Sequence, residues 1–138
     1  MTIGLKLGSI TDELGEQDFF HSFFSTVNYR LENDGWGSRF PILLNKLYQG
    51  SLEQKYAEQA IKELSVIATE LEKLSPDQVI WDIEDLKISP PWGKDISKDI
   101  TDLSNYYVTS TGRDLIGVLR ESLNELLEGG NTLEVVSL

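Results

Sequence analysis

SLEQKYAEQAIKELSVIATELEKL, residues 51–74, places Tyr56, Ala60, Leu64, Ile67, Leu71 and Leu74 at intervals of three and four, with Glu and Lys filling the opposite positions. That recurrence gathers the apolar side chains on one stripe of a helix. Ser51 followed three residues later by Gln54 reads as a capping box, so the pattern predicts a helix opening at Ser51 and running through about Leu74. The stripe is too short to require a coiled coil.

Upstream, Pro41 suits the first turn of a helix that carries Ile42, Leu43, Leu44, Leu47 and Tyr48 and ends at Gly50. Phe19, Phe20, Phe23, Phe24, Val27 and Leu31 form another helical stripe, from Asp18 to near Asn33, where Asn-Asp-Gly supplies turn chemistry. Ile3, Leu5 and Leu7 alternate as in a half-buried strand that Gly8 ends. Downstream, Ser75-Pro76-Asp77 breaks the long helix, and 78–83 (QVIWDI) has strand-like alternation and composition. Residues 84–102, with Pro90, Pro91 and Gly93, read as a loop or a loop with one short helical turn. Tyr106 to Thr109 reads as a short strand. A helix then carries Leu115, Ile116, Leu119, Leu123 and Leu126 and ends at Gly129-Gly130-Asn131, leaving Thr132 to Val136 as a terminal strand. One strand, three helices, two strands, a helix and a strand predict a single α+β domain over 1–138. It has about four mostly antiparallel strands and packed helices.

Composition limits the chemistry. At 138 residues and 40% hydrophobic content the chain can build one core, burying about two-thirds of its unfolded surface. It contains no cysteine, which removes disulfides, thiolate metal sites and thiol nucleophiles. MTIGLKLGSI has neither the basic nor the long apolar region of a secretory signal, and no segment approaches the ~20 apolar residues of a membrane span, so a cytoplasmic protein with no membrane partner is expected. Twelve Lys and Arg against 23 Asp and Glu give a formal net charge of -11. That repels a phosphate backbone and favours a basic protein partner over direct nucleic-acid binding; the same charge also serves solubility.

Two constellations are candidates for chemistry. His21 is the only histidine, set among Phe20, Phe23 and Phe24, and reads as a satisfied boundary residue before it reads as a general base. Asp82, Glu84 and Asp85 could divide acid and base roles or hold a divalent cation, but carboxylates at a strand end usually cap a turn or face solvent. No zinc-ligand set, calcium-loop spacing or phosphate-cradling glycine loop is present, and neither a metal nor a cofactor is expected. Two loops stand out instead. In DGWGSRFP, 34–41, Trp36 is read as a structural plug and Arg39 as pairing internally with a carboxylate such as Asp82. In SPPWGKDIS, 89–97, Pro90, Pro91, Lys94 and Asp95 disfavour burial of Trp92, which makes it the better recognition candidate.

The phrases TIGLKLGSITDE, DFFHSFFSTVNYRLE, GWGSRFPILLNKLYQG, VIWDIEDL, PPWGKDI and ITDLSNYYVTSTGRDL resemble the bacterial immunity proteins of polymorphic toxin systems, in the immunity protein 70 family, over nearly the whole chain. The resemblance implies a cytoplasmic, non-enzymatic protein that binds and neutralises one cognate toxin C-terminal domain, frequently a nuclease delivered by contact-dependent or secretion-based systems. Loop composition, and not the resemblance, puts Trp92, Asp82, Glu84, Asp85, Lys94 and Asp95 on the toxin-binding surface. The expected mode is occlusion of the toxin's active site, by a monomer or homodimer. Two alternatives are a regulatory or scaffold domain that self-associates through its long helix, and a small carboxylate-dependent hydrolase.

Overall fold

Gly8 and Ser9 turn strand β1, Thr2–Leu7, directly back into β2, Ile10–Glu16, in the computed structural model, which describes residues 1–138. Gly8 has φ 61° and Ser9 does not have a positive φ, the signature of a type II′ hairpin turn with glycine at its first central position. Strand β2 was not anticipated. Its alternation is hidden by Asp12, Glu13 and Glu16, charges that suit a sheet edge because they discourage further pairing. A bulge beside Ile3 and Gly4 leaves Leu14 as the extra residue of β2, and Leu14 is fully buried.

The hairpin leads straight into helix α1, Gln17–Leu31, then a π-helical turn, Leu43–Leu47, and a short strand β3, Ser51–Glu53. A 3-10 turn, Gln54–Tyr56, precedes helix α2, Ala57–Leu71; helix α3, Leu115–Gly129, and strand β4, Thr132–Ser137, complete the chain. The sheet order is β2-β1-β4-β3, antiparallel throughout. Helices α2 and α3 pack against each other, and 28 buried apolar side chains from sheet and helices form one contiguous cluster. The α+β class and the four antiparallel strands therefore hold.

Two of the four expected strands are different ones. Residues 78–83 and 106–109 do not join the sheet; Val108 makes only an isolated bridge to Asp114. Their places are taken by β2 and β3. Ser51 does not cap α2, because Leu52, 1% exposed, is drawn into the core opposite Leu133 of β4. Tertiary burial outweighs the local capping pattern there. The capping box forms one helix later, between Ser75 and Gln78 around the 3-10 turn Pro76–Gln78.

The DGWGSRFP turn is held by two buried carboxylates. Glu32 accepts the backbone N–H groups of Gly37, Arg39 and Phe40 at 3.0, 2.9 and 2.9 Å. Glu63 of α2 accepts those of Ile42 and Leu43 at 3.2 and 3.0 Å, where the next helical turn begins and its orphan donors need partners. Burial raises the Glu63 pKa against the opposing pull of those two N–H groups. Half-buried Trp36 packs against the Tyr48 ring and donates its indole N–H to the Leu44 carbonyl at 3.1 Å. Arg39 forks onto Glu70 of α2 and reaches the Leu31 carbonyl at 3.1 Å, so its carboxylate partner is Glu70 and not Asp82.

Candidate functional site

Helix α1 carries a polar row beside its aromatic stripe: His21, Ser22, Ser25 and Thr26. These side chains fasten the irregular segment that follows Pro76. Ser22 Oγ donates to the Ile80 carbonyl at 2.8 Å, Thr26 Oγ1 accepts the Ile80 N–H at 2.9 Å, and Ser25 Oγ accepts the Ile83 N–H at 3.1 Å. Arg30, a turn further on, donates Nε–H to the Gln78 carbonyl at 2.9 Å. The strand-like stretch 78–83 thus finds its backbone partners on helix side chains instead of a neighbouring strand. Buried backbone groups must be paired somewhere, and here hydroxyls do it.

Below this segment the Tyr107 hydroxyl, fully buried, lies 3.0 Å from Ser22 Oγ, 2.7 Å from Thr26 Oγ1 and 3.1 Å from the Ser22 carbonyl. Burial raises its pKa and keeps the phenol neutral. Above it lies an aromatic layer. Buried Trp81 meets the edge of Trp92 at 5.2 Å between ring centroids, and the Trp92 indole N–H donates to the Tyr106 hydroxyl at 2.8 Å. Trp92 remains 39% exposed. It is packed against Trp81 and hydrogen-bonded to Tyr106, while the rest of the ring meets solvent.

Of the carboxylates in the 82–85 turn, Asp82 is held by His21. Its Nε2 lies 3.0 Å from Asp82 Oδ1 and its Nδ1 2.5 Å from the Tyr48 hydroxyl. A carboxylate only accepts, so in the neutral ring Nε2 carries the proton and Nδ1 accepts from Tyr48. Both nitrogens are engaged, leaving no lone pair for a substrate. Tyr48 is not an activated nucleophile either: burial, then the charges of Glu84 and Asp82, raise its pKa and hold the phenol protonated. Asp82 moves the other way, held below the ordinary carboxylate range by the Glu84 backbone N–H at 2.9 Å and by His21, against a desolvation that opposes both. Asp82 is therefore a fixed anion.

The six predicted surface residues stand on two separate turns, whose nearest link is the Trp81–Trp92 ring contact. Asp82, Glu84 and Asp85 stand on one turn, where Asp85 also caps Lys87 N–H at 3.1 Å. Trp92, Lys94 and Asp95 stand on the next, where the Asp95 N–H closes onto the Trp92 carbonyl at 3.0 Å. No group of three or more His, Asp or Glu side chains has the geometry to hold a metal ion. Sequence reasoning missed Tyr48 as the partner of His21, and Trp81 and Tyr106 as the supports of Trp92. The available signal was the run of hydroxyl residues within an otherwise aromatic helix.

A carboxylate-bearing loop region with a partly exposed tryptophan thus sits on an α+β base built around one four-stranded antiparallel sheet. The chain belongs to the immunity protein 70 family, whose pattern it matches over residues 5–135. No curated protein and no solved structure gives a significant match. No helix is long and apolar enough to cross a membrane.

Proposed function

We propose that this protein is a stoichiometric inhibitor that acts in the cytoplasm on the C-terminal domain of one cognate toxin, a nuclease, and blocks its active site without chemistry of its own. Family membership supplies the toxin partner. The observation that carries the mode of action is the preorganised loop layer: Asp82, Glu84, Asp85 and Asp95 present negative charge, Lys94 adds a single donor, and Trp92 offers a large rigid anchor. A cleft that attracts nucleic-acid phosphates attracts the same pattern of charge, and a net charge of -11 accelerates the encounter. Fixing Asp82 through His21 before binding lowers the ordering cost that a flexible acidic loop would carry.

Titration of the purified protein against the toxin domain encoded beside its gene tests the reading. Tight binding with loss of nuclease activity, competed by substrate, is the expected result. Trp92→Ala, shown by circular dichroism to be folded, weakens binding by roughly 2 to 4 kcal/mol. Asp95→Asn acts mainly on the association rate and its salt dependence. Tight binding that leaves substrate access untouched would refute occlusion.

A further inference from the structure

Asp34 is the one aspartate or asparagine of the chain that is followed by glycine. Both residues lie exposed in the bend that opens the DGWGSRFP turn. The Asp34 carboxylate makes no hydrogen bond or ion pair, whereas Glu32 just before it takes four donors. Gly35 accepts the Ser38 N–H at 3.1 Å, but its own N–H has no acceptor. Its φ of 110° is a conformation that glycine adopts at little cost, and no atom beyond its chain neighbours lies within 4 Å of where a Cβ would stand. A free backbone nitrogen thus follows a free carboxyl, with no side chain to block their approach.

We propose that the Asp34-Gly35 bond is a site of spontaneous isoaspartate formation, a modification that lengthens the main chain inside the turn held by Glu32. The Gly35 nitrogen bonds to Asp34 Cγ, the bond from Cγ to the carboxyl OH breaks, and that OH leaves with the amide proton as water. The product is a cyclic succinimide. Water then adds to one of its carbonyls. Opening at Cγ restores aspartate; opening at the former main-chain carbonyl of Asp34 leaves isoaspartate, with the chain running through Cβ and Cγ and the old carbonyl now a carboxylate. Mass and charge are unchanged, one oxygen comes from solvent, and neither an oxidant nor a toxin partner is involved.

The added backbone atom falls between Glu32 and the Gly37 N–H that Glu32 binds at 3.0 Å, inside a loop of chain closed by that bond. Gly37 has little room to absorb it, being buried so close to the Asn45 side chain that a Cβ would meet it at 2.2 Å. The same segment carries Trp36, whose indole N–H is tied to the Leu44 carbonyl. Isoaspartate at Asp34 therefore loosens the Glu32 bonds to Gly37, Arg39 and Phe40.

The test incubates the intact protein, its Asp34→Glu variant and the free peptide LENDGWGSR, which is tryptic segment 31–39, in warm buffer made with heavy-oxygen water. Isoaspartate is read as a chromatographically separate form of the 31–39 peptide carrying one heavy oxygen, and by methyl transfer from an isoaspartate methyltransferase. It accumulates at Asp34 alone, at a rate within about threefold of that in the free peptide, because no part of the fold has to open first. Asp34→Glu keeps the charge but needs a larger ring, and stays unmodified. Formation slower by about tenfold or more in the intact protein than in the peptide shows that the turn protects the bond and overturns the proposal. Equal methyl transfer to a folded Asp34→Glu variant also overturns it, by placing the modification elsewhere. In the aged protein the Gly37, Arg39 and Phe40 amides exchange faster than in the fresh one; unchanged exchange overturns the effect on the turn.

Discussion

Replacing Glu32 by Gln changes almost nothing in shape and much in hydrogen bonding. Glu32 is 5% exposed, and its two oxygens divide four donors. Oε1 takes the Gly37 N–H and an Asn28 side-chain N–H, at 3.0 and 2.9 Å, while Oε2 takes the Arg39 and Phe40 N–H groups, both at 2.9 Å. Whichever way a glutamine amide turns, its NH2 confronts two donors, so two bonds to a charged acceptor are lost in either orientation. Each such bond is worth about 1.5 to 3 kcal/mol, and partial relaxation of the turn leaves an expected loss of about 3 to 5 kcal/mol. For a chain of this size that lowers Tm by roughly 10 to 20 °C. Urea unfolding followed by tryptophan fluorescence measures it, with the m-value unchanged because the surface exposed on unfolding is the same. A loss below about 1 kcal/mol would mean that the four donors find other acceptors and that Glu32 does not hold the DGWGSRFP turn.

Tyr107→Phe removes a buried hydroxyl, but Ser22 and Thr26 keep their bonds to Ile80. The expected cost in chemical denaturation is about 1 to 2 kcal/mol, accompanied by faster exchange of the Ile80 amide; unchanged stability and exchange would show that the hydroxyl does not support the loop layer. Asp82 has a folded pKa below its unfolded value. Its contribution to stability is therefore complete above the ordinary aspartate value near ~3.9 and is lost as pH falls through the folded value. In thermal melts from about pH 6 down to about pH 2, wild type exceeds Asp82→Asn at the upper end and the gap closes in acid. A gap that stays constant would mean that the Asp82 charge contributes nothing.

The helices were legible because their stripes are long: Phe20, Phe23, Phe24 and Val27, or Ala60, Leu64, Ile67 and Leu71, satisfy a period that few other arrangements can. Strand β1 was legible from the alternation of Ile3, Leu5 and Leu7, and β4 as the stretch left beyond the Gly129-Gly130-Asn131 helix stop. Strand β2 escaped although Gly8-Ser9 is a two-residue hairpin signal, because an edge strand with one buried side chain, Leu14, offers too little alternation. The 78–83 stretch misled for a physical reason: it is an extended segment with strand-like side chains whose backbone partners lie on a helix. Alternation reports an extended, half-buried chain and does not report what pairs with it. The acidic turn and Trp92 were visible as residue types. The links that place them, His21 to Asp82 across 61 residues and Trp92 to Tyr106 across 14, are long-range and have no local spacing to betray them.

Fastening the loop layer to hydroxyls of α1 also separates two evolutionary tasks. Residues 84–88 and 93–95 contribute no rung to the sheet and are mostly solvent-facing, so exchanging their side chains leaves the buried core of strands and helices untouched. The scaffold can then stay constant while the side chains of these turns change. The side chains that moor these turns are His21, Ser22, Ser25, Thr26, Trp81 and Tyr107.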